Sequence, residues 1–419
     1  MSDQAVFRQL SFVDWDFIEP GPLDISAIHW YPGSFAPGLP GVLVDLLSSE
    51  GDTIFDPFCG IGSTAAAAIL RGRHSISCDI NPVGVMSGLA TTGLISLLMK
   101  DQFLFEAVLG DLRSVVEEIR TPNAFLTEAL QSGSTIDEHI DEVGGRSVPN
   151  VLNLLFKSPT VASLSNWYHP KTLDELQRLL EYLESARTAR FTKIVGFTML
   201  SAIARNTCSE TRSWGHVADN VRPTEFVYKD VGVAALAWIK RTRRQLDGIR
   251  RTIPAVSRHG RFDFSVIDWN KDLFSIPCQA PALLLTSPPY GGAIDYGLAQ
   301  RLTMYLLGKS DDELANLVNA EIGARRKRSK PGHINMWAEQ LIRVATNQLS
   351  FTEGRGFAAY VMPHKDHGRD VGEVMLKAAL EEDGWELWFS ADRSVRQSKT
   401  RQSWTSIKKE TVLVFRRKS

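Results

Sequence analysis

"GDTIFDPFCGIGSTAAAAILRGRHSISCDINP", residues 51–82, decides how this chain is read. An apolar run closes on Asp56, a glycine pair (Gly60, Gly62) follows, and Thr64 leads into four alanines. A second apolar run then closes on Asp79. The order strand, glycine turn, small-residue helix, strand is that of a βαβ unit, whose two strands are parallel because the helix carries the chain back.

The turn has chemistry of its own. Glycines let the backbone pass close to a ligand, and the following helix N-terminus offers unpaired N–H groups. No lysine follows the last glycine, so this is not a nucleotide-triphosphate loop, and the third glycine of the dinucleotide fingerprint is missing. An acid before the glycines repels pyrophosphate but suits an ammonium or hydroxyl group. Asp79 stands where a doubly wound fold places its ribose-binding acid. These features imply a nucleoside that carries a cationic amine and no phosphate, S-adenosylmethionine. A G-x-G pair alone would be no more than a tight turn; Asp56, Pro57, Phe58, Asp79 and Ile80 beside Gly60 and Gly62 favour the ligand.

A second strand ends unusually. "APALLLTSPPYGG" (residues 280–292) runs apolar to Leu285 and then stops at Thr286, Ser287, Pro288, Pro289 and Tyr290. Two prolines cannot sit in a central ladder, so the strand must end in a rigid tip. This tip resembles that of the amino-methyltransferases acting on nucleic-acid bases, where Asp, Asn or Ser precedes Pro-Pro-Tyr/Phe. The resemblance implies that Ser287 and the Pro288 carbonyl hold the hydrogens of an exocyclic amine, with Pro289 stiffening the turn. Tyr290 would stack on a base flipped from the duplex.

Other stretches resemble the same family. "HWYPGSFAP" (29–37), with Tyr31, is similar to the segment covering the methionine end of the cofactor. In "SVIDWNKDL" (265–273), Asp268 is placed like the acid that meets the adenine, and Thr286 joins the cofactor set. "SPPYGGAIDY" with Arg301 downstream resembles one subgroup of these enzymes. Together the similar parts cover residues 25–95 and 260–417. The implied fold is α/β, a seven-stranded, Rossmann-like S-adenosylmethionine-dependent methyltransferase sheet. Residues 1–100 form its cofactor-binding part, 101–251 a mainly helical insertion serving target recognition, and 252–419 the part bearing the tip.

Composition sets few further limits. Hydrophobic residues make 43% and charged residues 23% of 419, ordinary for a globular chain, and the net charge is −1. No apolar run is expected to span a membrane, and "MSDQAVFRQL" lacks the parts of a signal peptide, which points to the cytoplasm. Four dispersed cysteines argue against a disulfide framework or a zinc site. "PCQ" (277–279) matches the nucleophile tripeptide of C5-cytosine enzymes, but no neighbouring cation would activate Cys278, which reads as an inert cysteine. No metal is expected at His364, Asp366 and His367.

Polyanion binding must rest on local patches. "ARRKRSKPGH", with Arg325, Arg326, Lys327 and Arg328, is expected to be a phosphate-tracking loop. Arg205 and Arg212 in the insertion, and Arg301 after the tip, complete the candidate contacts. "KRTRRQLDGIRR" (240–251) is a basic helical stripe equally suited to a solvated face. "QSGSTIDEHIDEVGGRS" (131–147) reads as a flexible loop. "NWYHPKTLDEL" (166–176) reads as a helix start with Thr172 as N-cap; Trp167, Tyr168 and His169 ahead of it read as core rather than as a base platform.

The resemblance implies methyl transfer from S-adenosylmethionine to the N4 amine of cytosine in double-stranded DNA, with base flipping. Serine before the prolines is commoner in N4-cytosine than in N6-adenine enzymes. Such enzymes belong to restriction-modification or defence systems, with any endonuclease or defence subunit a separate chain. N6-adenine methylation, RNA base methylation and a silent DNA-binding subunit remain as alternatives.

Overall fold

The computed structural model describes residues 3–17, 24–26, 28–36, 38–120, 133–185, 188–212, 214–253, 260–272, 280–352, 356–365, 368–369, 371–395 and 407–418. Among the described residues eight strands form one sheet: β1 (Thr53–Asp56), β2 (His74–Asp79), β3 (Phe262–Val266), β4 (Leu283–Thr286), β5 (Phe357–Lys365), β6 (Gly368–Arg369), β7 (Trp385–Ser394) and β8 (Lys409–Arg417). Seven run in the order β3-β2-β1-β4-β5-β8-β7, and the two-residue β6 folds back on β5. The β3 to β5 ladder is parallel, whereas β8 is antiparallel to both neighbours. The expected seven-strand path of an α/β sheet is therefore present.

Both faces of the sheet are covered. Ile54, Leu283, Leu285, Ala359 and Val414 face one core, while Phe55, Leu284, Ala358, Tyr360 and Phe415 face the other. Burial on both faces explains why "TIFD" and "LLLT" show no polar alternation. Strand order reverses between β1 and β4, and in an open α/β sheet the crevice at such a switch point, beyond the carboxyl ends of the strands, is where ligands bind. The two stretches singled out in the sequence end on the two sides of that crevice.

The helix Pro82–Lys100 leaves β2 through a cap legible in "DINP": Asn81 accepts from the Val83 N–H, and Pro82 needs no partner at the first turn. By length and apolarity this helix could cross a membrane, contrary to the sequence expectation. It is instead 89% buried within the protein. Its apolar surface is a consequence of position, since it packs against β2, β3 and the helices of residues 102–252. Those helices occupy the β2–β3 crossover and include Gln102–Arg120, Pro170–Ser185, Arg190–Thr207 and Val231–Thr252.

Two local expectations are corrected. Residues 133–147 are not a loop but the helix Gly133–Gly144 and the start of the next, because Ile136, Ile140 and Val143 recur at helical spacing and bury against Pro82–Lys100. Gln131 and Ser132 lie outside the described residues. Thr172 is not an N-cap: the helix begins at Pro170, and the Thr172 hydroxyl instead bonds the Lys229 backbone (2.9 and 3.0 Å). Trp167 and Tyr168 are buried, with the Tyr168 hydroxyl on the Ala204 carbonyl.

Candidate active site

A cavity opens at the switch point. Its floor is the glycine turn. Gly60 and Gly62 have φ of 48° and 80°, and a Cβ at Gly62 would come within 2.9 Å of the Gly88 backbone, so only glycine fits there. Gly62 immediately precedes the helix Ser63–Ile69. Asp79 sits opposite and organises the turn, accepting from Gly60 N–H and Asn81 N–H, each at 2.9 Å. Burial pushes the Asp79 carboxyl up to about 6 against those two bonds. A carboxylate has about four acceptor positions, so lone pairs remain for hydroxyl donors.

The far wall carries Asp268 and Asn270 just beyond β3, with Ile80, Ile267 and Ile322 as apolar lining. Trp269 locks this wall to the turn through its indole N–H on the Pro57 carbonyl (2.8 Å). Tyr31 to Phe35 form the roof. Tyr31 stacks on Tyr296, with centroids 5.9 Å apart, so the roof is tied to the segment after the tip. Behind Tyr31, His29 meets Ser201 (2.7 Å) and Ser201 meets Thr303 (2.7 Å), and burial lowers the His29 imidazole to about 4, leaving it neutral.

The tip closes the cavity. Ser287 and Pro289 line it. Trp337 donates to the Pro289 carbonyl (2.9 Å), and a Cβ at Gly291 would strike its ring at 2.6 Å, so the Gly after Tyr290 admits this brace. Tyr290 is 9% exposed and does not offer an open ring face; its hydroxyl donates to Glu410 (2.9 Å) and receives from Ser287 (3.1 Å). Burial, with Glu410 beside it, drives the Tyr290 phenol well above its usual range.

The structure thus brings Tyr31, Phe58, Gly60, Asp79, Ile80, Asp268, Ser287 and Pro289 onto one cavity. Asp56, Pro57, Gly62, Thr286, Pro288 and Tyr290 lie just behind it in the same turn and tip. Asp56 faces inward rather than toward a ligand: it accepts from Thr286 Oγ1 (2.7 Å) and from Phe58 N–H (3.1 Å), and burial pushes it up to about 6. Tyr296 and Glu321 line the cavity without having been singled out for it. Glu321 accepts from the Tyr296 and Gly297 N–H groups, and burial pushes it up to about 8. "IDY" offered Tyr296 as a signal; Glu321, at the end of an ordinary helix, offered none.

The cationic candidates separate. Residues Arg325–Ser329 form a 3-10 helix beside the tip, where Arg325 and Arg326 N–H bond to Ile294 and Asp295. Lys327 reaches the Glu321 carbonyl, Arg325 pairs with Asp219, and Arg326 and Arg328 face outward. Arg301 does not join them: it is 4% exposed, and its guanidinium bonds the Val217 and Ala218 carbonyls, Tyr305 and Asp311. Its place in the fold is to hold the insertion against the post-tip helix. Arg205 and Arg212 both converge on Glu210, at its carbonyl and its buried carboxylate respectively. On Val231–Thr252, Arg243 and Arg250 turn to Glu106 and Gln102, so part of that stripe braces a neighbouring helix. Cys278, Asp366 and His367 lie outside the described residues. His364 belongs to β5, bonded to Thr411.

Comparison with known proteins bears on this geometry. A family model described as DNA methylase (N6_N4_Mtase) matches residues 15–85, the stretch from before the roof to past Asp79. No curated protein matches. Among solved structures, the rRNA methyltransferase aviRa from Streptomyces viridochromogenes superposes over 94% of this chain and 91% of its own, with 10% identity and a TM-score of 0.32. That overlay is too loose to bear on fold or activity. Segment 15–85, which builds the cavity floor and roof, is thus similar to the DNA methylases of the N6/N4 family.

Proposed function

We propose that the chain transfers a methyl group from S-adenosylmethionine to the N4 amine of cytosine in double-stranded DNA. One observation carries the reading: a single cavity has the glycine turn and two carboxylates at one end and Ser287 of the proline tip at the other. Asp79 has lone pairs for a ribose diol, Ile80, Ile267 and Ile322 suit an adenine face, and Asp268 suits its amine. Tyr31 and Gly60 lie toward the amino-acid end. The residues fit the nucleoside.

S-adenosylmethionine supplies an electrophilic methyl group carried on a sulfonium. The chain's part is to make a poor nucleophile adequate. A nucleobase amine shares its lone pair with the ring, and two acceptors on its hydrogens, Ser287 Oγ and the Pro288 carbonyl, favour a more tetrahedral nitrogen. Proline rigidity and the Trp337 brace keep those acceptors in place before the base arrives, so no reorganisation is needed in the transition state. The proton released leaves through the same acceptors to solvent. Base flipping costs a few kcal/mol, offset by contacts in the cleft beside the tip. The Arg325–Ser329 helix supports a duplex approach from that side, since phosphates are held by such cations. A restriction or defence setting, with a separate cleavage subunit, belongs to the same proposal.

The test is incubation with labelled S-adenosylmethionine and unmethylated genomic DNA, with RNA as competitor, followed by nucleoside mass spectrometry. N4-methylcytosine is the expected product. N6-methyladenine would keep the mechanism and replace the base; label in RNA alone would replace the substrate.

A further inference from the structure

We infer that Glu410 is a positioning residue for this reaction: held by Arg393, it accepts a hydrogen bond from the Tyr290 hydroxyl and so fixes Ser287 as a hydrogen-bond acceptor toward the substrate amine. The inference rests on the reading of the tip given above.

A serine at this position poses a difficulty that Asp or Asn does not. A hydroxyl both donates and accepts, and one that pointed its hydrogen at an amine would oppose two donors. A chain of bonds behind the tip removes the ambiguity. Arg393, 6% exposed, bonds the Trp15 carbonyl through Nε (3.0 Å) and pairs with Glu410 through Nη1. A carboxylate in an ion pair has only lone pairs to offer. Tyr290 therefore donates to Glu410 Oε1 at 2.9 Å. With its proton committed, the Tyr290 oxygen can only accept, and Ser287 Oγ donates to it at 3.1 Å. Ser287 lines the cavity, and with its hydrogen committed its oxygen has only lone pairs left for a donor. Burial of Tyr290 keeps water from competing for the middle bond, and a polarised chain strengthens each member. Glu410 stands 120 residues from the tyrosine it controls, at the start of β8.

Glu410 could instead be a strut that merely pins β8 to the tip, and the two roles separate kinetically. Steady-state methyl transfer to a duplex DNA is measured with the full chain for wild type, Glu410→Gln, Tyr290→Phe and the double variant. The amide introduced by Glu410→Gln can donate and so reverse the chain. Tyr290→Phe removes the relay while leaving the Arg393–Glu410 pair whole, so it folds even if Glu410→Gln does not. The expected result is a fall in kcat of roughly 10- to 100-fold in each single variant, below the loss from deleting a direct transition-state contact. The KM for S-adenosylmethionine stays within about twofold, and the double variant is no slower than the slower single, as for groups acting as one unit. An unchanged kcat in Tyr290→Phe overturns the relay, as do losses that multiply in the double variant. Absence of methyl transfer by the wild type, on DNA or RNA, overturns instead the reading beneath it.

Discussion

Thr286 donates its hydroxyl to Asp56 at 2.7 Å, across 230 residues of chain, and so joins the two strand ends that flank the cavity. The bond explains why the glycine turn and the proline tip keep one spacing although a helical insertion lies between them. Thr286→Val keeps the shape and strips a partner from a buried carboxylate. We expect a stability loss of about 1–3 kcal/mol, read from the denaturant midpoint, and a several-fold rise in the KM for S-adenosylmethionine.

Asp79 makes cofactor affinity depend on pH. Its carboxyl is pushed up to about 6, so it is largely protonated at pH 5 and ionised at pH 7. Hydroxyl donors bond the anion more strongly than the acid. Calorimetry of S-adenosylmethionine binding should show affinity rising through pH 6. Asp79→Asn should bind roughly 10- to 100-fold more weakly and lose the pH dependence, in line with the loss of charge-assisted bonds.

Glu321 acts on stability with the opposite sense. Its folded value of about 8 lies above the ordinary 4.5, so the fold favours the protonated form. That contribution is fully present below 4.5 and is lost as pH rises through about 8, at about 1.4 kcal/mol per pH unit within the window. Asp56 and Asp79, near 6, have largely finished titrating above pH 7. The melting temperature of the free protein should therefore fall between pH 7 and 8, and Glu321→Gln should flatten that fall.

The cations beside the tip divide by burial. Arg328→Ala should leave folding intact and weaken DNA binding equally across sequences, with the log–log salt slope reduced by about 1. Arg301→Met should do the reverse. It orphans the Val217 and Ala218 carbonyls, costs about 3 kcal/mol of stability, and leaves the salt slope unchanged. Filter binding at several salt concentrations, with thermal melts, checks both.

The sheet was legible because its strands are punctuated by residues with one structural meaning: Asp56 before the glycines, Asn81-Pro82 at a helix start, Pro288-Pro289 where a ladder must stop. Strands β1, β2 and β4 fall where apolar runs placed them. The two-residue β6 has no pattern to read. Helix Gly133–Gly144 was hidden because its apolar residues are sparse among glycines and acids, and only the partner helix makes that face worth burying. Arg301 misled for a related reason, since a cation near a catalytic tip looks alike in sequence whether it faces solvent or two backbone carbonyls. Glu410 could not be read at all: its meaning depends on β8 lying antiparallel to β5, with its first residues beside the tip.

Ser287 is proposed to hold the amine during methyl transfer. The most direct measurement is a single-turnover assay on duplex DNA with labelled S-adenosylmethionine, comparing wild type with Ser287→Ala at matched cofactor occupancy. Labelled N4-methylcytosine is expected from the wild type, with a rate lower by roughly 100-fold or more in the variant, the cost of losing an oriented group in the transition state. Equal rates in the two proteins would contradict that role.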